Sequence, residues 1–360
     1  MPKVLDTISP PLRSDRLFAL DLLKAVCIAL VVLQHANFLP AASDRQYADI
    51  LDLLLSPLRF TVPVLLAISL FLLERSLKRD VVASTVLKKR FVRLLIPTLF
   101  WFGVAFLIQI RANPLAAILP GIGRGELFIG AYYLLILLQV IPVYLLIRNR
   151  LNQSLSIGLL FFQALVYCSI EVLISSHLSP PFVQLLRTID RPLFLYWFGY
   201  MGIGYLLSQH YPAIEKLSAQ LGIWAKMGLI ALSALMLALE GHWVFKITEG
   251  QVRPFNYTML SCLLSILVAF LCAASVHADH LSPQPRKAII LLSTYSLGIF
   301  CINGILSPII ARSVAHFVGT LSFSLPEVLL IKFFGWLGLL IISLLGALAL
   351  EKIGLKNCVR

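Results

Sequence analysis

The feature that most constrains this 360-residue chain is the recurrence of apolar runs about twenty residues long, the length a helix needs to cross a bilayer core. Marking such runs between polar breaks predicts ten spans, near 17–39, 50–73, 91–111, 128–148, 154–175, 192–209, 221–240, 256–276, 288–311 and 327–350. The runs lack the two-residue alternation of a membrane β-barrel strand, so the expected fold is all-α, a polytopic transmembrane helical bundle. Composition agrees. Hydrophobic residues make up 59% of the chain and charged ones 13%, whereas a soluble domain has about 45–50% and about 25%. The longest polar breaks, at 74–90, 176–191, 241–255 and 312–326, leave no room for a soluble domain, and no repeat or low-complexity segment interrupts the pattern. Residues 1–360 therefore read as one membrane domain.

The formal net charge is +13. Such an excess fits nucleic acid, an anionic membrane surface or an anionic substrate, and the placement of the charges decides between them. With the N-terminus inside, the cations concentrate in the inner segments: Lys3, Arg13, Arg16 and Lys24, then the dense run from Arg75, Lys78 and Arg79 to Lys88, Lys89, Arg90 and Arg93. The positive-inside rule then puts both termini in the cytoplasm, and no nucleic-acid partner is expected. Pro40-Ala41-Ala42-Ser43 mimics a signal-peptidase site, but the span before it is longer than a signal h-region, so the expectation is a retained anchor. The six cysteines include no CxxC pair and five of them lie in apolar runs, so neither a disulfide nor a metal site is expected.

Ionisable groups inside a span cost at least about 2.5–3.5 kcal/mol near the helix centre, so each needs a reason to be there. The first span has three: Asp21, Lys24 and His35. Lys24 and His35, eleven residues apart, differ by three turns plus about 20° and by about 16 Å of rise, so they share a face. Asp21 lies about 40° from His35 on that face and three residues from Lys24, within reach of an ion pair. For Asp21 and Lys24, mutual neutralisation near the cytoplasmic interface, with Lys24 snorkelling, competes evenly with a functional role. His35 follows a long apolar stretch, whereas His177, His210, His242, His277, His280 and His316 fall in loops or at span ends. An imidazole set in a span points to function.

In the third span, Arg90 and Arg93 follow Lys88 and Lys89 and lie about 60° apart on the helix surface. Topology alone explains such a cluster. The alternative is an anionic partner, since forked guanidinium groups suit phosphate or carboxylate. Glu126, Asp190 and Arg191 fall in or beside outer loops and read as solvated charges, with orientation of a substrate as the alternative.

Five motifs, in order, carry a resemblance. Leu20-Asp21-Leu22-Leu23-Lys24 followed by His35 is similar to a pattern in which an arginine precedes a catalytic histidine, here with lysine for arginine. Val62-Pro63-Val64-Leu65-Leu66-Ala67-Ile68-Ser69-Leu70 matches Val-Pro-Leu-Phe-Phe-x-x-Ser-Gly except at the final glycine. Arg90 and Arg93 with Pro97 match a third-span Arg-x-x-Arg pattern, and Ala131-Tyr132-Tyr133-Leu134 with Gln139 matches an aromatic fourth span. Residues 293–303 resemble Ser-x-x-Ser-x-x-x-Tyr-x-x-His, with Phe300 and Asn303 in place of the tyrosine and histidine. Over most of its length the chain resembles the acyltransferase-3 family of integral membrane acyltransferases, many of which O-acetylate or O-succinylate bacterial glycans.

The resemblance implies a bacterial cytoplasmic-membrane enzyme moving an acetyl or succinyl group from acyl-coenzyme A to a hydroxyl of a cell-surface glycan or glycolipid, with no metal. Donor phosphates would lie near Lys88, Lys89, Arg90 and Arg93, and Lys24, with Asp21 beside it, would help hold the donor. His35 would act as general base or as the nucleophile of an acyl-histidine intermediate. Ser69, Tyr133, Tyr295 and Asn303 are the candidates for contacts to substrate or oxyanion. Besides donor, acceptor and membrane lipids, a second copy of the chain is an open partner. A transporter or flippase for a lipid-linked glycan could use the same polar stripe, although the internal repeats common in transporters are missing from the sequence.

Overall fold

The computed structural model describes residues 17–78, 83–176, 181–318 and 321–360. His177 and the cations Lys3, Arg13, Arg16 and Arg79 lie outside the described residues. Among the described residues the only regular structure is helical: α1 Phe18–His35, α2 Ala41–Gln46, α3 Ala48–Leu55, α4 Thr61–Leu77, α5 Ala83–Gln109, α6 Leu115–Arg124, α7 Ala131–Ile147, α8 Gln153–Ser175, α9 Pro181–Ile189, α10 Phe198–Gln220, α11 Ile223–Ile247, α12 Leu260–Ala273, α13 Pro283–Thr294, α14 Ser296–Val318, α15 Leu325–Lys352 and α16 Lys356–Val359.

Eight stretches of the described chain are long and apolar enough to span a bilayer, where ten were expected. The expected spans at 192–209 and 256–276 are carried by α10 and α12, which are helical but not among the eight. Helix α12 has 14 residues, about 21 Å at 1.5 Å per residue, short of the hydrocarbon thickness. The second half of α10 turns polar, with Gln209, His210, Glu215 and Lys216, while its first half is buried inside the bundle. There Gly199, Gly202 and Gly204 let neighbours come close: a Cβ would lie 2.7 Å from Gln163 of α8, 2.5 Å from the Ser156 carbonyl of α8 and 2.5 Å from Leu70 of α4.

Helix α1 is the axis of the bundle. In its most apolar window 56% of residues are buried, against 17% in α8 and α11, whose outer faces are left for lipid. It packs against α4, α12, α13, α14 and α15. A helix leaves its last four carbonyls without intrahelical partners, and at the end of α1 neighbouring helices supply donors. The Ser307 hydroxyl of α14 donates to the His35 carbonyl, and the Lys332 ammonium of α15 donates to the Ala36 carbonyl at 3.2 Å. A cation there also complements the negative end of the helix dipole. About two turns earlier, Trp336 Nε1 donates to the Ala29 carbonyl at 2.8 Å. The end of α1 that carries His35 is therefore pinned on two sides.

The C-terminal turn tucks under the bundle. Trp101 Nε1 of α5 donates to the Cys358 carbonyl at 2.8 Å, Val359 is buried, and Arg360 pairs with Glu351 at 2.8 Å. Elsewhere Glu74 of α4, fully buried, is neutralised by Arg148 at 3.2 Å and by the Tyr144 hydroxyl at 3.0 Å.

Candidate active site

His35 is the last residue of α1 and is partly buried. Its Nδ1 meets the side-chain oxygen of Asn303, a fully buried residue of α14. The Asn303 amide nitrogen donates to two backbone carbonyls, Ile299 at 2.5 Å and Phe300 at 3.0 Å. Both are pure acceptors, so the amide cannot be reversed without facing oxygen with oxygen. The oxygen of Asn303 must then accept from Nδ1–H, which leaves the lone pair of the neutral ring on Nε2. Position 303 thus fixes the tautomer of His35.

Four basic side chains converge at the other end of α1. A cleft of 210 Å³ is lined by Lys24 of α1, Arg90 and Arg93 of α5 and Arg360 of the C-terminal turn, with Ser69 and Tyr133 on its walls and, among the described residues, no acidic side chain in the lining. Arg90 is braced by donating to Ser76 at 2.9 Å and to the Leu72 carbonyl at 3.3 Å, whereas Arg93 is exposed. Lys88 and Lys89 are exposed and stand outside the cleft lining. Asp21 is buried and accepts from Ser293, itself a lining residue, at 2.5 Å.

Phe300 connects the two ends. It lines the cleft, its ring centroid lies 5.5 Å from that of Tyr133 and 6.4 Å from that of His35, and His35 itself is not part of the lining. The ring rests on Gly130, whose φ of +92° suits glycine and where a Cβ would lie 2.6 Å from Phe300 Cζ. The Ser69 hydroxyl donates to the Leu65 carbonyl at 2.9 Å. Tyr295 bonds to Glu351 and Arg360 at the C-terminal turn, so of the four substrate or oxyanion candidates only Asn303 touches His35.

Two residues read as solvated loop charges prove to be buried. Asp190 is 5% exposed and Arg191 9%. The Arg191 guanidinium lies 4.1 Å over the Tyr132 ring and its Nε is 3.6 Å from Asp190 Oδ2. The Arg191 carbonyl accepts from Trp197 Nε1 at 2.7 Å, and Tyr132 bonds to Tyr257 beside it. The signal for Arg191 in the sequence is the aromatic density behind it, Phe194, Tyr196, Trp197, Phe198 and Tyr200, because a desolvated arginine favours aromatic faces. Glu126 is exposed and pairs with Arg124 at 3.0 Å, as a solvated loop charge would.

A partly buried histidine bonded to Asn303 and a cleft lined by cations, both on one central membrane helix, make up the candidate site. Comparison with known families decides the class. The model of an acyltransferase domain matches residues 17–352, most of the chain. The chain belongs to the acyltransferase-3 family. It is a multi-pass membrane acyltransferase. No curated protein and no solved structure matches the chain.

Proposed function

We propose that this acyltransferase-3 protein moves an acetyl or succinyl group from acyl-coenzyme A to a hydroxyl of a cell-surface glycan or glycolipid in the bacterial cytoplasmic membrane, with His35 as general base. The observation that carries the assignment of the base is the Asn303 amide, whose two carbonyl partners leave His35 Nε2 as the proton acceptor. The four-cation cleft supports a phosphate-bearing donor, since clustered cations, of which only Arg360 is shown paired to a carboxylate, Glu351, select an anion. At 210 Å³ the cleft is smaller than the ~300–1,000 Å³ of a whole drug-sized site. It suits the thioester arm, with the nucleotide outside against Arg93, Lys88 and Lys89.

The transfer is a single displacement at the acyl carbon. The acceptor O–H gives its proton to Nε2, its oxygen forms the C–O bond, and the C–S bond breaks. The imidazolium then returns the proton to the departing sulfur, so free coenzyme A and the O-acyl product leave and His35 is neutral again. Asn303 is a positioning residue here, accepting the Nδ1–H bond that strengthens as the ring becomes cationic. Negative charge develops on the thioester oxygen in the same step, and Arg191, a buried guanidinium, is the group suited to oppose it. For the thioester to reach Nε2, Phe300 turns off Gly130, a rotamer change well within turnover times.

The test is acyl transfer by the purified protein in lipid nanodiscs, given radiolabelled acetyl- or succinyl-coenzyme A with and without an extracted lipid-linked glycan. Label in the glycan, dependent on acceptor, is the expected result. Labelled donor that stays intact with every acceptor fraction would overturn the proposal.

A further inference from the structure

The C-terminal turn, residues 353–360, lies beyond the matched acyltransferase domain, yet it supplies one of the four cations of the basic cleft. We propose that Arg360 binds a phosphate of the donor, and that donor binding and docking of this turn are coupled, each tightening the other; the identity of the donor rests on the function proposed above.

The sequence makes the turn and gives it little to hold on by. Gly354, at φ +93°, ends α15, and the Leu355 amide donates back to the Leu350 carbonyl at 3.0 Å, the bond that closes a helix through a left-handed residue. The chain then reverses, and the four residues of α16 are too few to be stable as a helix alone. Packing holds them. Val359, fully buried, fills the space over Gly298 of α14, where a Cβ would lie 2.8 Å from Val359 Cβ, and Trp101 of α5 bonds to the Cys358 carbonyl. Ile353, Gly354, Lys356 and Asn357 are exposed. A segment with so few buried contacts belongs to the low end of local stability, where a ligand shifts docking most easily.

Docking aims the guanidinium. Arg360 Nη2 donates to the Tyr295 hydroxyl at 2.5 Å and pairs with Glu351 at 2.8 Å, the hydroxyl itself bonds to Glu351, and Cζ lies 4.7 Å over the Tyr295 ring. These contacts occupy one nitrogen and one face of the fork. Nε is buried without a hydrogen-bond partner among the described residues, and a buried donor of this kind is satisfied when a ligand brings an acceptor. With Lys24, Arg90 and Arg93 on the other walls, the acceptor that fits is an anion with several oxygens, a phosphate. The acyl end of the donor lies elsewhere. Tyr295 precedes Phe300 by five residues, about 7.5 Å along the helix, and Phe300 is the ring that neighbours His35. A phosphate can come from the donor or from an anionic lipid headgroup; the donor is favoured because Arg360 lines the same cleft as Ser69, Tyr133 and Phe300. A ligand that binds only the docked turn must also favour docking, by the same factor.

The experiment follows hydrogen–deuterium exchange of residues 353–360 in the full-length protein in phosphatidylcholine nanodiscs, with and without coenzyme A or inorganic pyrophosphate, and measures the affinity of both by isothermal titration. The amides of Leu355, Cys358 and Arg360 donate within the turn, so their exchange reports its docking. Both ligands should slow this exchange at least threefold in the wild type and leave it unchanged in Arg360→Gln, which should bind each of them at least fivefold more weakly. Val359→Asn buries a neutral amide and leaves every cation of the cleft in place; it should speed exchange in the free protein and weaken both ligands. Trp101→Phe, which deletes the bond to the Cys358 carbonyl, should do the same to a smaller degree. Wild-type affinity for coenzyme A in Arg360→Gln, or in a Val359→Asn protein whose turn exchanges freely, would overturn the proposal and leave the donor reading standing. Arg360-dependent binding of pyrophosphate without binding of coenzyme A would keep the phosphate site and remove the donor. Protection that appears when phosphatidylglycerol is added to the nanodiscs, and with neither ligand, would assign the phosphate to lipid and overturn the contact to the donor. Binding of neither ligand would overturn both.

Discussion

Replacing Asn303 by leucine, close to it in volume, isolates what the amide does for His35. In the wild type the neutral ring is held with Nδ1–H toward Asn303 and Nε2 free. In the variant either nitrogen can carry the proton, and no acceptor stabilises the imidazolium as it forms. A neutral hydrogen bond contributes about 0.5–1.5 kcal/mol and one to a charged group about 1.5–3 kcal/mol. The transition state resembles the charged case, so the loss in kcat is about 1.5–3 kcal/mol, or roughly ten- to 150-fold at 1.36 kcal/mol per decade. The fold should tolerate the change, because the Ile299 and Phe300 carbonyls lie in α14 and keep their helical surroundings. Initial rates of thiol release from acetyl-coenzyme A, measured against donor concentration, should show kcat falling with KM for the donor within twofold of wild type. Asn303→Asp, which keeps an acceptor toward Nδ1 but turns an oxygen toward the Ile299 and Phe300 carbonyls, should recover only part of the rate. A leucine variant that elutes as a single species, binds coenzyme A and turns over within twofold of wild type would refute the tautomer argument.

Other substitutions probe the remaining parts. Arg93→Gln and Arg90→Gln should each weaken coenzyme A binding about five- to thirtyfold, with a shallower salt dependence, if the charge-assisted contacts they remove are worth about 1–2 kcal/mol; isothermal titration at two salt concentrations measures this, and unchanged affinity would return both residues to topology. Arg191→Lys keeps the charge but loses the planar face over Tyr132, so kcat should fall at least tenfold with donor binding intact, and a wild-type rate would exclude Arg191 from the chemistry. Arg148→Ala leaves the fully buried Glu74 with the Tyr144 hydroxyl as its remaining partner of the two. Stripping the partner from a buried ion costs about 3–5 kcal/mol; the effect should fall near the lower figure because Arg148 is one-third exposed. Thermal unfolding in nanodiscs should drop by several degrees, and no drop would show that Arg148 does not hold the buried carboxyl.

The apolar run length was enough to read the all-helical membrane bundle, because a bilayer imposes one length on every span. It marked ten runs where eight stretches of the described chain are long and apolar enough to span, because α12 is short and the second half of α10 turns polar. His35 was legible for the same reason that makes it rare, namely the cost of an imidazole in a span. The clustering of Lys24, Arg90 and Arg93 was half-legible: each lies at the basic end of its span, but their meeting with Arg360 depends on the fold of a C-terminal turn 267 residues beyond Arg93. Arg191 and Asp190 were misread because a charged pair between apolar runs looks solvated until aromatic neighbours close over it. Lys332 was missed outright. It sits in the last expected span, 327–350, at its outer end, where a lysine passes for an interfacial anchor.

The most direct measurement is the transfer rate of His35→Ala beside that of the wild type, in nanodiscs, with radiolabelled acetyl-coenzyme A, a competent acceptor, and donor affinity recorded on both. His35 as the base requires the rate to fall by a factor of at least a hundred while coenzyme A still binds within threefold of wild type. Transfer continuing at a tenth of the wild-type rate or better would contradict it.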